Sequence, residues 1–296
     1  MNKTLLKTAL LATALAAAPL VAAPLVANGA EVGAPEVAQQ PHRALYAMGL
    51  AGTSGVGGPS QIRGVMSYEV TETCEAWKTD TKVLIRSVYG EDEVETVRKM
   101  SSWESKDGLG FRFRVDETQG GKPSEAIRGV AVLDGEGQAG IAEYTQPRTA
   151  KVPLPRGTVF PTAHMTQMIR RSIDASGHFG KVVFDGSSTD DPFVVSAIIG
   201  PASESKLPQE AQAVLGSRPR WEARLAYFPV AKKSETPEFE LSVTYRDDGI
   251  VETIRQEYED HAIESRLRQI ELLARPTCFV PDAPLVPEGG DGNGAR

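Results

Sequence analysis

The 296 residues carry 32 lysines and arginines against 39 aspartates and glutamates, for a formal charge of −7, with four histidines and two cysteines. That sign, with no basic stripe to offset it, disfavours nucleic acid and anionic membrane surfaces, and no nucleic-acid partner is expected. Lys3 and Lys7 precede an uncharged, Ala/Leu/Val-rich run from Thr8 to Ala27, the basic and apolar regions of a secretory signal peptide. Pro19 and Pro24 interrupt the run and no basic stop-transfer cluster follows it, so no stable membrane span is expected once residues 1–27 are removed. Candidate cleavage points are the small residues Ala23, Ala27 and Ala30. Removing residues 1–27 takes away two lysines and moves the charge from −7 to −9. The only cysteines, Cys74 and Cys278, form an even pair in an exported chain, which points to a disulfide. Closing so long a loop removes roughly 5 kcal/mol of unfolded-state entropy at most.

Residues 28–40 are small and polar with no period and are expected to be a flexible lead-in. Structure is expected from His42. Gly52 to Ser60, with four glycines and a proline, reads as a hairpin loop. Segments Ile62 to Val70, Cys74 to Tyr89 and Glu93 to Glu104 read as successive strands rich in Val, Ile, Tyr and Thr. Phe111, Phe113 and Val115 alternate with Arg112, Arg114 and Asp116, the pattern of a strand with one buried and one wet face. Ala126 to Leu133, Gln138 to Tyr144 and Thr149 to Pro153 continue an antiparallel meander.

One helix interrupts the strands. Pro161 ends the strand before it, Thr162 is placed as an N-cap, and Met165, Met168, Ile169 and Ile173 share an apolar face opposite Gln167, Arg170, Arg171 and Asp174. Gly177 stops it, strand resumes over Phe179 to Phe184, and Asp185-Gly186 turns the chain. A single amphipathic helix among strands is expected to act as a plug. Phe193 to Ile199 reads as strand, and Gly200 to Pro219 as a long surface loop. Trp221 to Val230 and Leu241 to Tyr245 read as strands, and Asp247-Asp248-Gly249 as a hairpin turn into Ile250 to Tyr258. In His261 to Ala274, the residues Ile263, Leu267, Ile270 and Ala274 fit a helical period better than alternation. The glycine-rich stretch 281–296 reads as a disordered tail. With no repeat and no interdomain linker, residues 41–280 are expected to form one domain.

Chemistry-bearing motifs are sparse. Gly135-Glu136-Gly137-Gln138-Ala139-Gly140 matches GxGxxG, but a strand follows where a nucleotide site needs a helix, so it reads as a hairpin turn and implies no cofactor. His42, His164, His178 and His261 show no metal-ligand spacing, and Asp190-Asp191 and Asp247-Asp248 have no third ligand in view. No metal is therefore expected. There is no GxSxG elbow. His164 lies in the first helical turn, where a neutral imidazole is favoured; with no nucleophile identified beside it, a cap or packing role accounts for it better than general-base catalysis. Asp185 reads as the first residue of a turn.

Several stretches together carry a resemblance: His42-Arg43-Ala44-Leu45-Tyr46, Tyr68-Glu69 ahead of Cys74-Glu75, Phe160-Pro161-Thr162-Ala163-His164-Met165, Phe184-Asp185-Gly186-Ser187, and the distant Cys278. In this order and spacing, over His42 to Val280, the chain resembles the EipB-like cell-envelope integrity family of bacterial periplasmic proteins. The resemblance implies a mainly β fold, a single-domain overtwisted antiparallel β-spiral, open-barrel-like, with an amphipathic helix packed inside. It also implies a Cys74–Cys278 disulfide, a periplasmic location, and strand over His261 to Ala274 in place of the helical reading. It supplies no catalytic residues. Three functional classes follow, in order: a non-enzymatic module supporting envelope integrity with other periplasmic envelope proteins as partners, a carrier of an apolar ligand such as lipid or lipoprotein, and a hydrolase.

Overall fold

A computed structural model describes residues 37 and 39–278, apart from 55–56, 175–176, 190–191, 203, 206 and 233–234. The expected signal peptide, most of the lead-in, the Asp190-Asp191 pair and the expected tail lie outside the described residues. Among the described residues, no helix is long and apolar enough to cross a membrane.

The first arm of the fold is a meander of eight strands: β1 (His42–Thr53), β2 (Gln61–Glu72), β3 (Ala76–Tyr89), β4 (Asp92–Ser105), β5 (Gly110–Gln119), β6 (Lys122–Leu133), β7 (Gly140–Gln146) and β8 (Ala150–Leu154). A short β9 (Thr158–Val159) leads into helix α1 (Pro161–Asp174). The second arm holds β10 (Gly177–Val183), β11 (Phe193–Pro201), helix α2 (Gln209–Leu215), β12 (Arg220–Pro229), β13 (Phe239–Arg246), β14 (Val251–Glu257) and β15 (His261–Leu272). Among the described residues, the fifteen strands join one sheet in the order β8 to β1, then β15 to β9. Every pairing is between sequence neighbours except that of β1 with β15, which fuses the two arms. The sheet curls as an open barrel whose unpaired edges are β8 and β9.

Alternation builds the sheet as expected. On β5, Phe111, Phe113 and Val115 are buried while Arg112 and Arg114 are exposed. The β6–β7 connection is the hairpin turn read from the glycines, closed by Gln138 N–H to the Gly135 carbonyl at 3.0 Å, with Gly137 at φ 67°. Residues 261–272 are strand, as the resemblance implied and the helical period did not. Ile263 and Leu267 keep to one face of β15, and β1 and β14 flank it on both sides, so tertiary pairing overrides the local period.

The disulfide is present. Cys74, in the turn after β2, bonds Cys278, beyond the end of β15, with Cα atoms 5.6 Å apart. His42 pairs with Val70 on β2 and with Leu272 on β15, so the bridge spans the start of β1 and clasps its two neighbours together.

Three apolar clusters fill the fold. Phe111, Phe113, Tyr144, Phe160 and Phe184 form an aromatic core in the first arm, and Met168 and Ile169 of α1 pack with Val195, Leu225 and Tyr245 in the second. The third cluster corrects the reading of residues 200–219. They are not only a surface loop: Leu207, Ala211 and Leu215, on and just before α2, are buried with Tyr46, Met66 and Leu267. The helix has seven residues, less than the run in which a helical period is legible.

Candidate functional site

Helix α1 bridges the two arms, and its first turn is where the expected motifs converge. Phe160 is fully buried and stacks on Phe111 at 5.1 Å, with Phe184 edge-on to both. Pro161 then opens the helix, where its missing N–H costs nothing. The free amides of the first turn are not capped by Thr162. Glu104, at the end of β4, accepts from Thr162 N–H at 2.7 Å and from Ala163 N–H at 2.8 Å, one through each carboxyl oxygen. Thr162 sits inside the turn, so its own amide needs a cap. A carboxylate from another strand supplies it and uses the positive end of the helix dipole.

Glu104 is 3% exposed. Burial pushes its carboxyl up to about 7, against the opposing pull of the Thr162 and Ala163 amides. The side-chain amide of Gln39, itself buried, donates to the Thr162 carbonyl at 3.1 Å, so the end of the expected flexible lead-in is fastened to the same turn.

The apolar face of α1 is narrower than expected. Met168 and Ile169 are buried and Met165 is half-buried against the same cluster, but Ile173 is 46% exposed. Ser172 takes the buried place beside them, its hydroxyl donating to the Met168 carbonyl at 2.7 Å and lying 2.6 Å from the Tyr245 hydroxyl. Ile173 falls on the flank of this arc, where the sheet does not cover it.

The remaining motif residues also hold the fold. His164 is buried and stacks on Phe179 at 5.7 Å; its Nε2 has no hydrogen-bond partner among the described residues. Burial, helped by Lys181, lowers its pKa to about 4, so the ring is neutral. His42 is buried with Nδ1 2.7 Å from the Gln40 carbonyl, Arg43 pairs with Glu69 on β2 and Glu271 on β15, and the Tyr46 hydroxyl donates to the Val251 carbonyl at 2.8 Å. Asp185 makes the expected turn, its Oδ1 accepting from Ser187 N–H at 2.8 Å. Gly186 has φ 66°, and a Cβ there would lie 2.3 Å from Phe113 Cγ; no other residue fits.

Two arrangements escaped the sequence reading. On the exposed face of β10 and β11, His178 Nε2 lies 3.1 Å from Ser196 Oγ, but among the described residues no acid is hydrogen-bonded to the ring. In the second arm, the guanidinium of buried Arg246 donates to the Leu215 carbonyl, the C-terminal end of α2, at 2.7 Å and lies 3.5 Å from both Asp248 and Glu252. Asp248 is thus more than a surface-turn residue. Glu252 also receives Ser205 at 2.9 Å and Arg220 at 3.2 Å. Among the described residues, no group of three or more His, Cys, Asp or Glu side chains is placed to hold a metal ion.

A cleft of about 230 Å³ opens beside the first turns of α1, between the β4–β5 turn and the β6–β7 turn. A second, of about 190 Å³, lies across β12–β15 among Glu222, Glu264, Arg255 and Arg266. None of Met165, Met168, Ile169 or Ile173 lines either.

A family model for EipB-like proteins matches residues 34–274. The chain belongs to the EipB-like family. Within it, the cell envelope integrity protein EipB of Brucella abortus (strain 2308) is 26% identical over 251 residues, covering 82% of this chain and 88% of the relative. A crystal structure of a β-barrel-like protein of domain of unknown function DUF1849, from Brucella abortus, matches with a TM-score of 0.73 at 23% identity, over 80% of this chain and all of the other. The open barrel read from the strand order is therefore a fold shared with that structure.

Proposed function

We propose that this EipB-like chain is a non-enzymatic periplasmic protein that supports cell-envelope integrity as a rigid interaction module. The reading is carried by one observation: the motif residues are consumed in holding α1 and β1 in place. His164 is buried, neutral and without a reacting partner, and Phe160, Phe184, Asp185 and Gly186 build the packing under the helix. Function then belongs to the outer surface and its clefts, with other envelope components as partners. The name of the Brucella relative supports the envelope role, and the signal-like leader supports the compartment.

The test is complementation of a strain lacking the gene, challenged with detergent. A version with its leader should restore resistance, and a version retained in the cytoplasm should not. His178→Ala and Ser196→Ala should restore it fully. A folded, exported variant at either position that fails to do so would favour an enzyme.

A further inference from the structure

The cleft beside α1 has the composition of a binding site. Its floor is the polar face of the plug: Thr166, Gln167 and Arg170 project into it at a spacing that places them together on the side of the helix opposite Met168. Across from them stand Trp77 and Leu109, both half-buried, and Glu136 on the β6–β7 turn. The side chains of Thr166, Gln167, Arg170 and Glu136 have no hydrogen-bond or ion-pair partner among the described residues. By contrast, the other charged groups lining the cleft are engaged: Glu104 with the helix amides, Lys106 with Glu72 and the Trp77 ring, and Asp107 with Ser105 and the Leu109 amide. Unengaged donors and acceptors therefore converge on one recess at the mouth of the barrel, a position where barrels commonly receive small ligands.

Size and chemistry narrow the ligand. A volume of about 230 Å³ admits one sugar unit but not an acyl chain with its headgroup. A hydroxyl, a carboxamide and a guanidinium on the helix side, with an indole, a leucine and a carboxylate across from them, suit a polyhydroxylated ring with one apolar face. Arg170 adds a requirement for negative charge, since an unpaired guanidinium is best met by a carboxylate. We infer that this cleft binds a carboxylate-bearing, N-acylated sugar unit, with Arg170 on the carboxylate, Thr166, Gln167 and Glu136 on the hydroxyl and amide groups, and Trp77 and Leu109 on the apolar face. The inference deepens the envelope reading but can be tested without it, because it concerns binding by the purified protein.

The probes are N-acetylmuramic acid, which carries a lactyl carboxylate, and N-acetylglucosamine, which lacks it, titrated into the purified chain by calorimetry or by NMR. N-acetylmuramic acid should bind, and N-acetylglucosamine roughly tenfold or more weakly, the worth of one charge-assisted contact. Arg170→Ala should weaken the first probe by a similar factor and remove the preference between the two. Gln167→Ala should weaken both probes together. Glu222→Ala, in the second cleft, should change neither. Arg170 is exposed, so these variants should fold, with melting curves as the check. No binding of N-acetylmuramic acid, or equal binding by wild type and Arg170→Ala, would overturn the inference even if complementation upheld the envelope role.

Discussion

The two helices are held by opposite devices. Helix α1 is fixed at its N-terminus, where the sheet presents a buried carboxylate, Glu104, to the free amides. Helix α2 is fixed at its C-terminus, where the sheet presents a buried guanidinium, Arg246, to the Leu215 carbonyl. Each charge has the sign that the helix end calls for. The difference lies in what else neutralises it. Arg246 sits between Asp248 and Glu252 in a network that balances its charge, whereas Glu104 has only the neutral donors of Thr162 and Ala163, so burial raises its pKa and leaves it titratable near neutrality. The second device is thus independent of pH over the range where the first is not.

Removing the guanidinium should have the largest effect. Arg246→Ala leaves the end of α2 without its cation, and leaves buried Glu252 and Asp248 with only Arg220 and Arg218; it should cost about 3–5 kcal/mol, read as a fall in melting temperature on the order of ten degrees. Met168→Ala, which tests whether α1 is packed core and not the wall of a filled cavity, should cost about 2–5 kcal/mol. Ile173→Ala, four residues beyond Ile169 but exposed, should stay within about 0.5 kcal/mol. Comparable losses at 168 and 173 would mean that the buried arc of α1 is misplaced.

The pH dependence sharpens the contrast. Glu104 in the folded chain, at about 7 against an ordinary 4.5, keeps a proton that the unfolded chain has released. Its contribution is therefore full below about 4.5 and is lost as pH rises through 7, a change of about 3 kcal/mol. His164 has the opposite sign: lowered from 6.5 to about 4, its contribution is full above 6.5 and is lost as pH falls toward 4. Glu104→Gln should flatten the alkaline side of the stability profile and His164→Phe the acid side, by urea titration across pH. Arg246→Ala should lower the whole profile while leaving both slopes.

What could be read from the sequence divides along the same line. Alternation disclosed β5, and the spacing of Met165, Met168 and Ile169 disclosed α1, because each repeats a period over several turns or pleats. Cys74 and Cys278 were an even pair with no other partners. Nothing local marked α2, where seven residues leave too few buried positions to show a period, or β15, whose helical spacing yielded to pairing on both sides. Ile173 continued a period that the sheet does not cover. Thr162 had the chemistry of a cap, but the cap came from Glu104, 58 residues away on β4. Gln167 and Arg170 were visible on a polar face and the β6–β7 turn was visible as a hairpin, although their meeting at one cleft was not.

Amide hydrogen exchange in wild type and Glu104→Ala tests the clamp most directly. The account predicts faster exchange at Thr162, Ala163 and the following turn of α1, with the amides of α2 and of β12–β15 unchanged. Unaltered protection at Thr162 and Ala163, or an equal loss of protection in both helices, would contradict it.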